Sequence, residues 1–198
     1  MKNRVLGIGN ALVDALVQVQ DEALLTEMNL PKGSMQLIDT EGYEAVCRRL
    51  SQLQVKRATG GSAANTVLAL AHLGAQPGII GRVSEDDNGH FFADNCKRVG
   101  IETFLLPSEL PTGVASTFIT PDGQRTFATY LGAAATLHAD DLRPEWLEGF
   151  SYLYIEGYLV QDHDLICRAV EMAHAAGLKV CLDLASYNIV EAQHEFFS

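Results

Sequence analysis

The residue hardest to account for by folding alone is Asp14, which stands inside the apolar run Leu12-Val13-Asp14-Ala15-Leu16-Val17. A carboxylate in such a run is costly to bury unless it is paired or hydrogen-bonded. Its two oxygens accept hydrogen bonds side by side, which suits the neighbouring hydroxyls of a sugar. The bland alternative is an Asp at a strand crossing that faces water. A second feature is Gly60-Gly61-Ser62-Ala63-Ala64-Asn65-Thr66. Glycines let a ligand approach the backbone, and the first turn of the helix that follows offers free N–H groups in a positive local field. Asn65 falls in that turn and could bond a ligand hydroxyl. The same residues also read as a tight turn leading into a small-residue helix packed close on a sheet. The third is Arg125, just after the turn at Asp122-Gly123, with Phe127 and Tyr130 nearby. An Arg at a hairpin tip is ordinarily solvated; on a lid it could reach substrate or phosphate.

Several chemistries are absent from the pattern. No Gly-Lys-Ser/Thr follows the glycine pair, so it is not a P-loop. Gly7-x-Gly9-x-x-Leu12 lacks the third glycine of a dinucleotide fingerprint and runs into a strand rather than a helix. The six histidines (His72, His90, His138, His163, His174 and His194) show no His-x-His or His-Glu-x-x-His spacing, so no metal ligand is assigned. There is no Gly-x-Ser-x-Gly elbow. Glu85-Asp86-Asp87 sits where a helix should begin, and acidic residues favour that end on structural grounds. The widely spaced Cys47, Cys96, Cys167 and Cys181 read as buried, reduced thiols of a cytoplasmic protein.

The elements that must hold these residues alternate. Strands are expected at 4–8, 77–83, 101–105, 152–155 and 179–184. Helices are expected at 40–53, 61–73, 85–99 and 162–176, the last three ended by Gly74, Gly100 and Gly177. Asp39 or Thr40 would cap the first helix, where Tyr43, Val46, Cys47 and Leu50 share a spacing. Strand–helix–strand repetition implies an α/β fold, a mostly parallel sheet flanked by helices. Residues 12–19 and 35–38 and a hairpin over 114–130 do not fit that layer and would form a small second sheet. Glu191 to Ser198 reads as the middle of a helix, so the domain is expected to be incomplete at 198.

Composition closes off further classes. Of 198 residues 47% are hydrophobic and 20% charged, a globular balance rather than a disordered one. The net charge of −11 argues against non-specific nucleic-acid or anionic-membrane partners, which need a positive surface. No run of about 18 apolar residues exists to span a bilayer, and Gly7, Gly9, Asn10 and Asp14 break the opening apolar run, so it is a poor signal peptide.

Taken together, the motifs resemble the N-terminal portion of the ribokinase family, the PfkB carbohydrate kinases that include adenosine kinases. The likeness runs over essentially all 198 residues. Gly9-Asn10 followed by Asp14 looks like the family's first substrate motif, and Gly60-Gly61-x-x-x-Asn65 like its glycine pair and asparagine. Gly81-x-x-Ser84-x-Asp86-x-x-Gly89 resembles another family stretch, with Ser84 in place of a glycine. Met35-Gln36-Leu37 and Ile155-Glu156-Gly157-Tyr158-Leu159 look like the adenosine-kinase-like branch.

The resemblance implies a ribokinase-like domain over 1–198 with a β lid, and transfer of the ATP γ-phosphoryl, with Mg²⁺, to a hydroxyl of a sugar or nucleoside. Asp14, Asn10, Gly60, Gly61 and Asn65 would hold that small molecule, and Gln36 and Arg125 would cover it from the lid. The family's catalytic base and anion hole lie in a Gly-Ala-Gly-Asp motif, and its Mg²⁺-linked Asn-x-x-Glu motif lies downstream too. Both are expected beyond residue 198, so no catalytic residue is named and the chain alone is expected to be inactive. A non-catalytic sugar- or nucleoside-binding protein is the alternative. Tyr130, Tyr158 and Tyr187 could stack on a nucleobase or fill the core, and an apolar lid face could pair in a homodimer.

Overall fold

In a computed structural model, residues 3–197 are described and form two five-stranded sheets with seven α-helices. In chain order the strands are β1 (Val5–Ile8), β2 (Leu12–Gln18), β3 (Met35–Leu37), β4 (Lys56–Gly60), β5 (Gly78–Ser84), β6 (Glu102–Ser108), β7 (Gly113–Ile119), β8 (Arg125–Tyr130), β9 (Tyr152–Ile155) and β10 (Lys179–Leu182). The helices are α1 (Ala23–Glu27), α2 (Thr40–Leu50), α3 (Ser62–His72), α4 (Asp87–Arg98), α5 (His163–Ala175), α6 (Tyr187–Ala192) and α7 (His194–Phe197).

The first sheet is parallel throughout, in the order β10-β9-β1-β5-β6. Its central strands β1 and β5 are buried on both faces, while the edge strands β10 and β6 are largely exposed or half-buried. Leu6, Ile8, Ile80, Leu153 and Ile155 meet α5 and the short turns at 132–147 on one side. Ile79 and Val83 meet Ala63, Ala64 and Val67 of α3 and Phe92 and Cys96 of α4 on the other. The chain leaves β1 towards β5 and β6 in one direction and returns to β9 and β10 in the other. Strand order therefore reverses at β1, and open parallel sheets bind ligands beyond the strand C-termini at such a point.

The second sheet is mixed, in the order β3-β8-β7-β2-β4. It gathers the three stretches that do not fit the parallel layer, together with β4. One face is closed by α1 and α2, where Leu25, Val46 and Leu50 pack on Ala15, Val17, Val114, Phe118 and Ala128.

Local chemistry explains the boundaries. Gly74, Gly100 and Gly177 take left-handed φ of 84°, 79° and 74° and stop α3, α4 and α5. Asp39 caps α2 by accepting from Gly42 N–H at 2.9 Å. Asp86 caps α4, accepting from Gly89 N–H at 2.8 Å, while its other oxygen takes Thr112 N–H at 2.8 Å and ties that turn to the β6–β7 connection.

Some expectations are corrected. Helix α2 stops at Leu50 rather than 53. Only Cys96 among the four free thiols is buried; Cys47, Cys167 and Cys181 are exposed. On α2 the buried positions are Val46 and Leu50, and Cys47 lies one step round the helix. The last residues form two short helices, and Phe196 and Phe197 pack partly buried against the core beside α5.

Candidate functional site

Gly60 ends β4 and Gly61 caps α3, directly beneath Asp14 of β2. A side chain at 60 would land on Asp14 Oδ1, so only glycine leaves that carboxylate its place. Gly61 has φ +96°, and a Cβ there would strike the carbonyl of Asn10. The glycine pair thus seats Asp14 on one side and the end of β1 on the other. Among the described residues the Asp14 carboxylate makes no hydrogen bond. Burial pushes its pKa up to about 6, with Arg125 pulling the other way.

Asp14 and Asn65 line one groove of about 720 Å³, together with Arg57, Leu68, Phe91 and Arg98 among others. Arg57 lies over the Phe91 ring at 4.8 Å. The register puts Asp14 opposite Ala58 and Ala115, with Thr129 beyond. Side chains alternate across a strand, so Leu16, Ile119, Phe127, Arg125, Met35 and Leu37 share Asp14's face. That face is incompletely covered, with Met35 48% and Leu37 57% exposed.

Gln36 lies opposite Ala128 and therefore points to the other face, that of α2, and it donates to Ser34 Oγ at 3.4 Å. Its neighbours Met35 and Leu37 hold the positions expected of it. Asn10 is buried, and its amide donates to Glu156 Oε1 at 2.7 Å. The expectation that the first turn of α3 has free donors is also corrected, because Ala63 N–H already donates to Glu156 Oε2 at 2.9 Å.

Glu156 is the residue that sequence reasoning missed as part of the site. It follows β9, is 2% exposed, and burial raises its pKa against the pull of Ala63 and Asn10. Asp183, just past β10, lies in the same layer. It accepts from Ser62 Oγ at 2.6 Å, Tyr154 OH at 2.8 Å, Gly157 N–H at 2.9 Å and Ala185 N–H at 2.8 Å. Burial works against its charge, yet these donors outweigh it and hold the carboxyl below its usual range. A signal was present: like Asp14, Glu156 and Asp183 are carboxylates next to short apolar runs.

Of the three tyrosines, Tyr130 is core, buried and stacked on Tyr43 at 4.5 Å. Tyr158 and the 79%-exposed Tyr187 line a second cavity of about 470 Å³ with Ser62, Tyr154 and Asp183. No group of three or more His, Cys, Asp or Glu among the described residues is placed to hold a metal. The bare Asn-x-x-Glu spacing does occur at Asn188–Glu191 on α6, where both residues are exposed. Among the described residues none is therefore assigned to hold ATP or Mg²⁺.

Comparison with known proteins gives this geometry a family. The chain overlays the adenosine kinase of Sinorhizobium meliloti with a TM-score of 0.86 and 32% identity, covering 100% of this chain and 61% of that one. A probable sugar kinase from Rhizobium etli gives 0.86 and 30%, covering 99% of this chain and 60% of that one. Among curated relatives, the aminoimidazole riboside kinase of Salmonella typhimurium is 38% identical over 96 residues, which are 44% of this chain and 30% of that protein. The 5-dehydro-2-deoxygluconokinase of Shouchella clausii is 27% identical over 133 residues, 63% of this chain and 41% of that protein. The chain thus spans less than two thirds of the length of these proteins. A family model of pfkB family carbohydrate kinases matches residues 33–195. The chain belongs to the pfkB family of carbohydrate kinases.

Proposed function

We propose that this chain forms the acceptor-binding part of an ATP-dependent kinase that phosphorylates a hydroxyl of a sugar or nucleoside. The observation that carries the reading is the Asp14 carboxylate. It is held in a glycine-made recess, without a hydrogen bond among the described residues, beside Asn65 at a groove of about 720 Å³. An acceptor with two adjacent hydroxyls supplies the donors that Asp14 lacks, and Asn65 and the Gly60–Gly61 backbone hold the rest of it. The apolar face carrying Met35, Leu37, Ile119 and Phe127 lies over the acceptor and keeps water from competing for the phosphoryl group. Arg125, on the same face, balances the charge of Asp14.

The transfer forms a bond from the acceptor oxygen to the γ-phosphorus and breaks the bond to the bridging oxygen of ATP. In this reading ATP would be the co-substrate and Mg²⁺ would offset the charge of its phosphates; both rest on the family, and no residue here is assigned to hold either. No residue here is assigned as base, and the 198 residues alone are expected to bind acceptor without turning it over. Isothermal titration of the chain with adenosine, ribose and fructose tests the binding, and an ADP-release assay tests the turnover. Binding lost in Asp14→Ala supports the reading; no binding of any of the three by the wild-type chain refutes it. Binding with no turnover even in the longest native gene product would favour a non-catalytic binding protein instead. The exposure of Met35 and Leu37 also favours a second use of that face, pairing of two copies, which sedimentation of the chain would show as a dimer.

A further inference from the structure

Beneath the glycine pair lies a polar cluster, buried at Asn10 and Glu156 and half-buried at Ser62, Tyr154 and Asp183, that the acceptor reading does not use. It sits at the C-terminal ends of β1, β9 and β10, where the strand order reverses. Glu156 Oε1 takes the Asn10 amide at 2.7 Å and Oε2 takes Ala63 N–H at 2.9 Å. One residue earlier on the same helical turn, Ser62 Oγ donates to Asp183 at 2.6 Å, and Tyr154 OH donates to the same Asp183 oxygen at 2.8 Å. Two carboxylates from adjacent strands therefore grip two consecutive residues of α3, and one of them also grips the end of β1.

The Gly60–Gly61 turn has no side chains to hold it. Gly61 caps α3 with no side-chain bond of its own. A turn built of glycine gives up more conformational freedom than any other when ordered, so its placement must come from its neighbours. Glu156 has two independent ends fixed on the two segments that flank the turn: Asn10, whose carbonyl abuts Gly61, and Ala63. Asp183 repeats the grip at Ser62 and is itself fixed by Gly157 and Ala185 N–H.

We infer that Glu156, seconded by Asp183, is a positioning residue that fixes the Gly60–Gly61 turn and the start of α3, and so sets the distance from Asp14 to Asn65 without touching the acceptor. The catalytic consequence rests on the function proposed above; the mechanical one does not. Glu156→Gln keeps the volume but puts an amide NH₂ against at least one of the donors that now point at the carboxylate. Adding Asn10→Asp restores a donor–acceptor pair across the same contact.

The test uses the whole chain and two readouts. In amide hydrogen exchange, Glu156→Gln is expected to speed exchange over residues 61–65 by at least tenfold while α5 stays unchanged, and the Asn10→Asp/Glu156→Gln double variant is expected to return it towards the wild-type rate. Unchanged exchange at 61–65, or acceleration spread evenly over the molecule, overturns the inference. Should Glu156→Gln fail to fold, Ser62→Ala, which removes only the Asp183 contact, is read for the same local acceleration with the same two outcomes. In titration with adenosine, ribose and fructose, Glu156→Gln is expected to weaken whichever binds by at least tenfold. If the wild-type chain binds none, the proposed function fails while the exchange result still stands. A complex showing the Glu156 carboxylate on the acceptor itself overturns the positioning role.

Discussion

Asp14→Asn separates what the carboxylate costs the fold from what it does for a ligand. Burial raises its pKa from the ordinary 3.8 to about 6, with Arg125 opposing. At 1.36 kcal/mol per pH unit the rise corresponds to about 3 kcal/mol. Water still reaches part of the group, which reduces the figure to about 1–2 kcal/mol. The sign follows from linkage. Between pH 3.8 and about 6 the folded state holds a proton that the unfolded state has released, so this group's contribution to stability falls as pH rises through that window. Above about 6 both states are ionised and the full cost is present. Below 3.8 both are protonated and it vanishes. Asp14→Asn removes the ionisation at nearly constant shape. At pH 8 it is expected to raise the melting temperature by roughly 2–8 °C for a chain of this size, with most of the gain gone by pH 4. The same variant loses the charged acceptor for ligand hydroxyls, and its affinity for the bound sugar or nucleoside should drop about ten- to hundredfold. Melting curves of both proteins at pH 8, 6, 5 and 4, paired with titration at pH 8, give both quantities. A variant that is less stable at pH 8, or a difference that does not change with pH, would show that Asp14 is satisfied by the fold and that the reasoning fails.

Gly60→Ala pushes a methyl group onto Asp14 Oδ1; acceptor affinity should fall at least tenfold by titration, with Asp14→Asn adding little on top because the carboxylate is already displaced. Asp86→Ala removes the cap of α4 and the tie to Thr112, and should cost about 1–2 kcal/mol in urea denaturation while leaving acceptor affinity unchanged, since Asp86 lies outside the groove. Met35→Ser with Leu37→Ser makes the exposed part of the Asp14 face polar; acceptor affinity, or dimer mass in sedimentation if that face pairs copies, should drop. An unchanged affinity together with an unchanged mass would show that the face does neither.

The parallel layer was legible because its signals are local. Apolar runs of strand length, helical spacing and a glycine after each of α3, α4 and α5 lie within a dozen residues of one another, and the physics that ends those helices acts at one φ. Membership of the second sheet was less so. Strand β4 pairs with β2, with Leu12 opposite Gly60, and nothing near Gly60 in the sequence announces that pairing. Helix α1 has five residues and no side-chain cap, too few for a period to show.

The site divides along the same line. Asp14 stood out because a charge inside an apolar run has a local cost. Gln36 was misplaced because a three-residue strand carries no alternation from which to tell its faces, and the register with β8 decides it. Asn10 was read as facing a ligand because its partner, Glu156, is 146 residues away. Glu156 carries the same anomaly as Asp14, a carboxylate next to the apolar run Tyr152–Ile155, yet it directly follows a strand, where a polar residue meeting water is ordinary. What turns it into a buried group is the arrival of β1 on one side and α3 on top. The general point is physical: a carboxylate beside an apolar run has its fate set by which neighbouring groups are brought against it. Asp14 is left without a hydrogen-bond donor because Gly60 contributes no side chain, whereas Glu156 is saturated because Ala63 and Asn10 contribute donors. The difference between a carboxylate that awaits a ligand and one that holds the frame lies in those contacts, and a single chain's sequence records them only as two small residues and an amide.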